Sequence, residues 1–229
     1  MDPKQLFTDE RLNDICIYCG DTPDSRDHVP SKILLDKPYP VNLSVVESCS
    51  SCNQGFSVAE QYLACFVDCV LNGTTVSNSN FRPKIAATLK SRPSIGGKIE
   101  GSKLQQEDGS IIWQPDVQLM KVVVIKLARG HIAYELGVQM FEEPVFINIF
   151  SLYGSDDKDI EQFYYLPSSQ KAPEIGCRGF VNLFSGKATG YESWHVVQPD
   201  RYQYSVGQSG GNWAKILISE YLACHVAWE

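Results

Sequence analysis

The chain has 229 residues, 43% of them hydrophobic and 21% charged, with a net charge of −7 and a pI near 5.1. That balance fits one large or two small globular domains and excludes collagenous, low-complexity and highly charged disordered chains. No run reaches the ~18–20 consecutive apolar residues of a membrane span, and Met1-Asp2-Pro3-Lys4-Gln5 opens no apolar signal region, so the expected setting is the cytoplasm, off the membrane.

Residues 1–15 read as a short polar helix or lead-in. Residues 16–53 are rich in turn formers (Gly20, Pro23, Pro30, Pro38, Pro40) and hold Cys16, Cys19, Cys49 and Cys52. Such a stretch has little apolar surface to bury and needs a metal to hold it. From Asn53 the pattern changes: Phe56, Ala59, Leu63, Phe66, Val67 and Val70 predict an amphipathic helix ending near Asn72-Gly73. A second short helix is expected from Pro83, with Ile85, Ala86 and Leu89 on one face and Pro93 as its stop. Gly96, Gly97, Gly101 and Gly109 mark residues 94–112 as a loop or loose hairpin, and the domain boundary is placed near residue 110.

Met120, Val123, Val124, Leu127, His131 and Tyr134 predict a helix over 117–137, with Gly137 as its C-cap. Val145–Leu152, Tyr191–Val197, Tyr202–Val206, Ala214–Ser219 and Tyr221–Trp228 are strand candidates. The expected class is α+β: a zinc-stapled N-terminal domain over 1–110, then an α+β domain with an antiparallel sheet over 111–229.

Cys16-Ile17-Tyr18-Cys19-Gly20 and Cys49-Ser50-Ser51-Cys52 are two C-x-x-C turns. Each lets two thiolates reach one cation, and two together make a closed tetrahedral zinc site with no open position for chemistry. These four cysteines are therefore read as structural Zn²⁺ ligands. Cys65 and Cys69 lie on the apolar helix and are read as core. Cys177 and Cys224 have no partner pattern. His131, on an apolar stripe, and His195 and His225, in strand-like runs, are assigned to the fold.

Between the knuckles lies Ser25-Arg26-Asp27-His28-Val29-Pro30-Ser31-Lys32, followed by Asn42-Leu43 and then Cys49-Ser50-Ser51-Cys52-Asn53. In order and spacing this resembles the HNH endonuclease family over about residues 14–72. The resemblance implies a ββα-metal fold and phosphodiester hydrolysis of nucleic acid, with DNA the expected substrate. It implies that His28 is the general base, that Asp27 and Asn53 hold one catalytic Mg²⁺ or Mn²⁺, and that Asn42 ties down the loop that orients the histidine. Lys32 would contact the scissile phosphate. Each role has a chemical reason: histidine is the natural base at neutral pH, and a hard divalent ion on oxygen ligands keeps positions open for phosphate and water. Asp27 and His28 are neighbours in an extended segment, so their side chains point opposite ways. The chain departs from the family at Asn53, often histidine there, and at Gln54-Gly55-Phe56-Ser57, where a basic residue is common. Arg26, Lys32 and a basic strip containing Arg82, Lys84, Lys90 and Arg92 are the alternative phosphate contacts; as a strip alone, the last four also fit a solvated connector.

Proteins of this family are often bacterial, and some act in restriction or anti-phage defence. With a net charge of −7, affinity for nucleic acid is expected to be weak, so targeting is expected from the C-terminal domain, an oligomer or a protein partner. The rival reading is a non-catalytic zinc module that binds nucleic acid or protein, with Asp27 and His28 serving structure.

Overall fold

The computed structural model describes residues 12–169, 172–187 and 189–229; most of the lead-in predicted over 1–15 lies outside them. The chain falls into two compact units: one runs to Gly55 and resumes at Val124–Glu229, and the other is Phe56–Val123. The boundary expected near residue 110 thus lies inside the second unit. The N-terminal hairpin groups with the C-terminal part of the chain, where Val29 packs against Gly130 and Asp27 and Asp36 find cationic partners.

In the first unit, β1 (Ser25–Val29) and β2 (Ser44–Ser48) pair antiparallel, with Asp27 opposite Val46 and His28 opposite Val45. The loop between them carries a 3-10 turn over Lys32–Leu34, and α1 (Ser50–Gly55) follows directly. Five further strands form one antiparallel sheet in the order β5-β9-β8-β7-β6: β5 (Phe146–Ser151), β6 (His195–Gln198), β7 (Tyr202–Gly207), β8 (Trp213–Ile218) and β9 (Leu222–Ala227). Ser219 and Glu220, at φ 54° and 50°, make the tight β8–β9 turn, whose left-handed residues match the twist of the strands. Every strand predicted here is present, each within a few residues of its expected bounds.

The long helix α5 (Val117–Leu136) ends as expected: Gly137, at φ 67°, donates its N–H to the Ala133 carbonyl. Its Val124, Leu127, Ala128 and Ile132 are wholly buried. At Gly130 a Cβ would sit 2.6 Å from Val29 Cγ2, so only glycine lets the helix lie this close to the end of β1. One residue along, His131 shares a 2.8 Å hydrogen bond with the Tyr202 hydroxyl and stacks on Tyr204 at 3.7 Å. Glu135 receives hydrogen bonds from Tyr204 (2.6 Å) and Thr189 (2.7 Å). α6 (Asp157–Tyr164) and α7 (Arg178–Ser185) complete the unit.

The second unit holds α2 (Ser57–Asn72), α3 (Pro83–Ser91), α4 (Pro93–Glu100) and the hairpin of β3 (Lys103–Gln105) and β4 (Ile111–Trp113). Cys65 and Cys69 are buried on α2, as read; burial pushes both thiols up to about 12. Pro93 ends α3 but also begins α4, because proline at the first helical position loses no hydrogen bond. Of the loop or loose hairpin expected over 94–112, the hairpin is present as β3 and β4, and the residues before it are helical instead. Among the described residues no helix is long and apolar enough to cross a membrane.

Candidate functional site

The two C-x-x-C turns are brought together by the β1–β2 pairing. Ile17 N–H donates to the Glu47 carbonyl on β2, and Gly20, at φ 84°, closes the first turn with a 2.9 Å bond to Cys16. Asn53 N–H donates to the Cys49 carbonyl, so the second turn becomes the first turn of α1. The four sulfurs of Cys16, Cys19, Cys49 and Cys52 all lie within 4.8 Å of one another, and Cys19 Sγ is 3.7 Å from Cys49 Sγ. A tetrahedral zinc with Zn–S near 2.3 Å sets its sulfurs about 3.8 Å apart, so the cluster fits a metal such as zinc. Burial raises the Cys16 thiol, but backbone hydrogen bonds at Cys49, Tyr18 and Cys19 outweigh it and hold it at about 7, while Cys19 is pushed up to about 11 and Cys52 is raised by burial.

Asp27 and His28 face opposite ways, as the extended segment requires. His28 is half-buried on the β1 face shared with Arg26. Its pKa is lowered by burial first, then by the charges of Lys32 and Lys126, against the opposing effect of Asp27. The imidazole is thus neutral at neutral pH, the form that accepts a proton. Arg26 pairs with Glu47 at 3.0 Å across the hairpin, and Lys32 lies 5.8 Å from the centre of the Tyr39 ring.

Asp27 is buried, and its Oδ2 is engaged twice. The Tyr18 hydroxyl donates to it at 2.7 Å, and Lys126 Nζ, from α5, lies 2.6 Å away. Lys126 is itself 1% exposed and also donates to Ser31 Oγ at 2.8 Å. Asn53 donates its amide hydrogens to the Arg26 carbonyl (3.3 Å) and Ser25 Oγ (3.4 Å), both on β1. With its nitrogen committed, the atom Asn53 offers to a cation is its amide oxygen. One carboxylate oxygen and one amide oxygen are hard donors of the kind Mg²⁺ and Mn²⁺ prefer.

No family model, curated protein or solved structure gives a significant match to this chain.

Two sequence expectations are met differently. Asn42 is exposed in the turn before β2, and among the described residues its side chain makes no hydrogen bond. The β1–β2 loop is tied down by Asp36 instead, whose backbone exchanges hydrogen bonds with the Gln198 side chain (2.8 and 3.0 Å) and whose carboxylate meets Arg201 at 2.5 Å. Arg82, read as a phosphate contact, is 9% exposed and pairs with buried Asp68 at 2.8 Å; its guanidinium serves the fold of the second unit. Lys84, Lys90 and Arg92 are exposed on and just beyond α3.

Lys126, Tyr18 and Asp36 were not singled out in the sequence. Lys126 carried a signal: a lone cation inside Val122-Val123-Val124-Ile125-Lys126-Leu127-Ala128 must find a partner if that stripe is buried. The remaining histidines serve packing: fully buried His131 is held well below its ordinary pKa by desolvation, His195 sits edge-on to Tyr204, and His225 edge-on to Phe146.

Proposed function

We propose that the chain is a metal-dependent endonuclease of the HNH type, with a ββα-metal site built on β1, β2 and α1. The observation that carries this reading is a half-buried His28 on a strand whose neighbouring helix presents Asn53, beside a four-cysteine cluster next to the hairpin. His28 takes a proton from the attacking water, which adds to phosphorus in line with the departing 3′ oxygen and leaves a 5′-phosphate end. Bound through Asp27 and Asn53, a Mg²⁺ or Mn²⁺ ion would supply Lewis acidity to the phosphate and stability to the leaving oxygen. Lys32 and Arg26 orient the phosphate. DNA is the proposed substrate, restriction or anti-phage defence the proposed setting, and the reducing cytoplasm, which keeps the cluster thiols metal-ready, the proposed compartment. The C-terminal sheet is the proposed site for a partner or a second copy.

The test is a cleavage assay on supercoiled plasmid, linear duplex and single strands. Cleavage should require Mg²⁺ or Mn²⁺, stop with EDTA, and leave ligatable 5′-phosphates. Metal-independent binding without cleavage of any substrate would favour the second reading, a non-catalytic zinc module. One observation supports that alternative: the Asp27 carboxylate already has a cation beside it.

The basic residues separate by burial. Reversing Lys84, Lys90 and Arg92 to Glu should weaken nucleic-acid binding and flatten its salt dependence, by about 0.9 in log–log slope for each phosphate no longer neutralised. Arg82→Ala should instead cost about 3–5 kcal/mol of stability, because it strands buried Asp68. Urea unfolding and salt-titrated binding check the two; an Arg82→Ala protein of unchanged stability with weakened binding would return Arg82 to the phosphate-binding residues.

A further inference from the structure

We propose that Lys126 is a positioning residue of the candidate site: a resident counter-cation that holds Asp27 by one carboxylate oxygen and leaves the other for a divalent ion. This rests on the endonuclease reading above.

The argument begins with burial. An ionised carboxylate and an ammonium, both nearly sealed from water, persist only as a pair with their remaining hydrogen-bonding capacity used. Asp27 is 7% and Lys126 1% exposed. Lys126 spends its protons on Asp27 Oδ2 and on Ser31 Oγ, and its ammonium lies 6.0 Å from the centre of the Tyr18 ring. Tyr18 in turn donates to the same Oδ2. Both contacts thus converge on one oxygen, and the carboxylate cannot turn without breaking two strong bonds. Among the described residues Oδ1 carries no hydrogen bond or ion pair, so it is the oxygen open to a metal. Gly130, one helical turn after Lys126, sets the depth of α5 against Val29, two residues beyond Asp27. The helix therefore delivers the ammonium at a fixed distance from β1.

Two consequences follow. Asp27 and Lys126 leave no uncompensated buried charge between them, so the fold does not depend on a divalent ion at this carboxylate. The ammonium also repels an incoming cation, so the divalent ion binds more weakly than an Asp–Asn pair alone would allow.

The experiment uses the full zinc-loaded chain and measures Mn²⁺ binding by calorimetry and electron paramagnetic resonance, with thermal unfolding alongside. Lys126→Gln removes the charge but keeps an N–H donor for Asp27. It should bind Mn²⁺ about tenfold more tightly than the native chain, since a unit charge is lost beside the ion. Its melting temperature should fall without Mn²⁺ and recover more on Mn²⁺ addition than that of the native protein. Equal or weaker Mn²⁺ affinity in Lys126→Gln would overturn the proposal. Should that variant not fold, the native chain gives the answer by NMR: the slowly exchanging Lys126 ammonium should shift saturably, and persist, as Mg²⁺ is added. An ammonium signal indifferent to Mg²⁺ would overturn it equally. The two levels stay distinct. Native protein that binds Mn²⁺ in an Asn53-dependent way, with Lys126→Gln unchanged, sinks this inference alone; native protein that binds no Mn²⁺ beyond the cysteine cluster sinks the metal-dependent reading and this inference with it.

Discussion

His28→Ala should cut phosphodiester cleavage by roughly 10²–10⁴-fold while leaving zinc content, melting temperature and nucleic-acid binding close to native. The reason lies in when the imidazole acts. A general base takes its proton in the chemical step and adds little to ground-state affinity, so its loss falls on kcat rather than on binding. His28 makes no hydrogen bond to another side chain among the described residues and is only half-buried, so truncation leaves no stranded partner and only a small void. Asn53→Ala should differ in kind. It removes a proposed metal ligand and two hydrogen bonds to β1, so raised Mn²⁺ should restore part of its activity, whereas no metal concentration restores His28→Ala. Single-turnover cleavage across a Mn²⁺ series reads both. A His28→Ala protein that cuts at the native rate would remove the endonuclease assignment and leave the binding module.

Cys49→Ser should release the zinc and melt the segment around the knuckles. Cys49 is 9% exposed, and its backbone carbonyl starts α1. Between Cys16 and Cys52 the side chains of Ile17, Val29, Leu34, Leu35, Leu43 and Val46 are buried, so a metal at the cluster would add to a small core in closing this part of the chain. Zinc binding in small modules is worth about 10–16 kcal/mol in apparent free energy, comparable to the entire stability of a domain. The loss should lower the melting temperature by about 10 °C or more (a few kcal/mol at about 2–4 °C each). Elemental analysis should find one zinc per native chain and none in the variant. Well-folded native protein free of zinc would sink the structural role of the cluster.

The parts of the molecule legible in sequence were those with local rules. Paired C-x-x-C spacing announced the cluster, now seen as four mutually close sulfurs. Alternation and turn residues marked the sheet strands, and 3.6-residue periodicity marked α2, α3 and α5. Three short helices escaped: α4, whose Gly96 and Gly97 read as a loop, α6 and α7. α6 had its sign, since Asp156 caps the N–H of Asp159, but eight residues are too few for periodicity to speak. α7 is capped by the sulfur of Cys177, which no capping preference favours. What the sequence could not show was long-range pairing. Nothing near Asp27 hints at Lys126, nor near Asp36 at Arg201, because the partners come from elements brought close only by the fold. The same limit explains Arg82: as one base in a basic strip it looked solvated, and only the position of Asp68 shows that it is spoken for.

The distance in sequence between Lys126 and the strand it neutralises matters while the chain is being made. Ser31 and Lys126 are 95 residues apart, which at about 5–20 residues per second separates their synthesis by roughly 5–20 s. For those seconds the newly made hairpin has its four cysteines but not its buried counter-charge. The carboxylate is locked into place only when α5 arrives. A nascent chain therefore carries the four cysteines early and the partner of Asp27 late, so a translation product cut short before α5 has the cluster but lacks the counter-cation of its buried carboxylate.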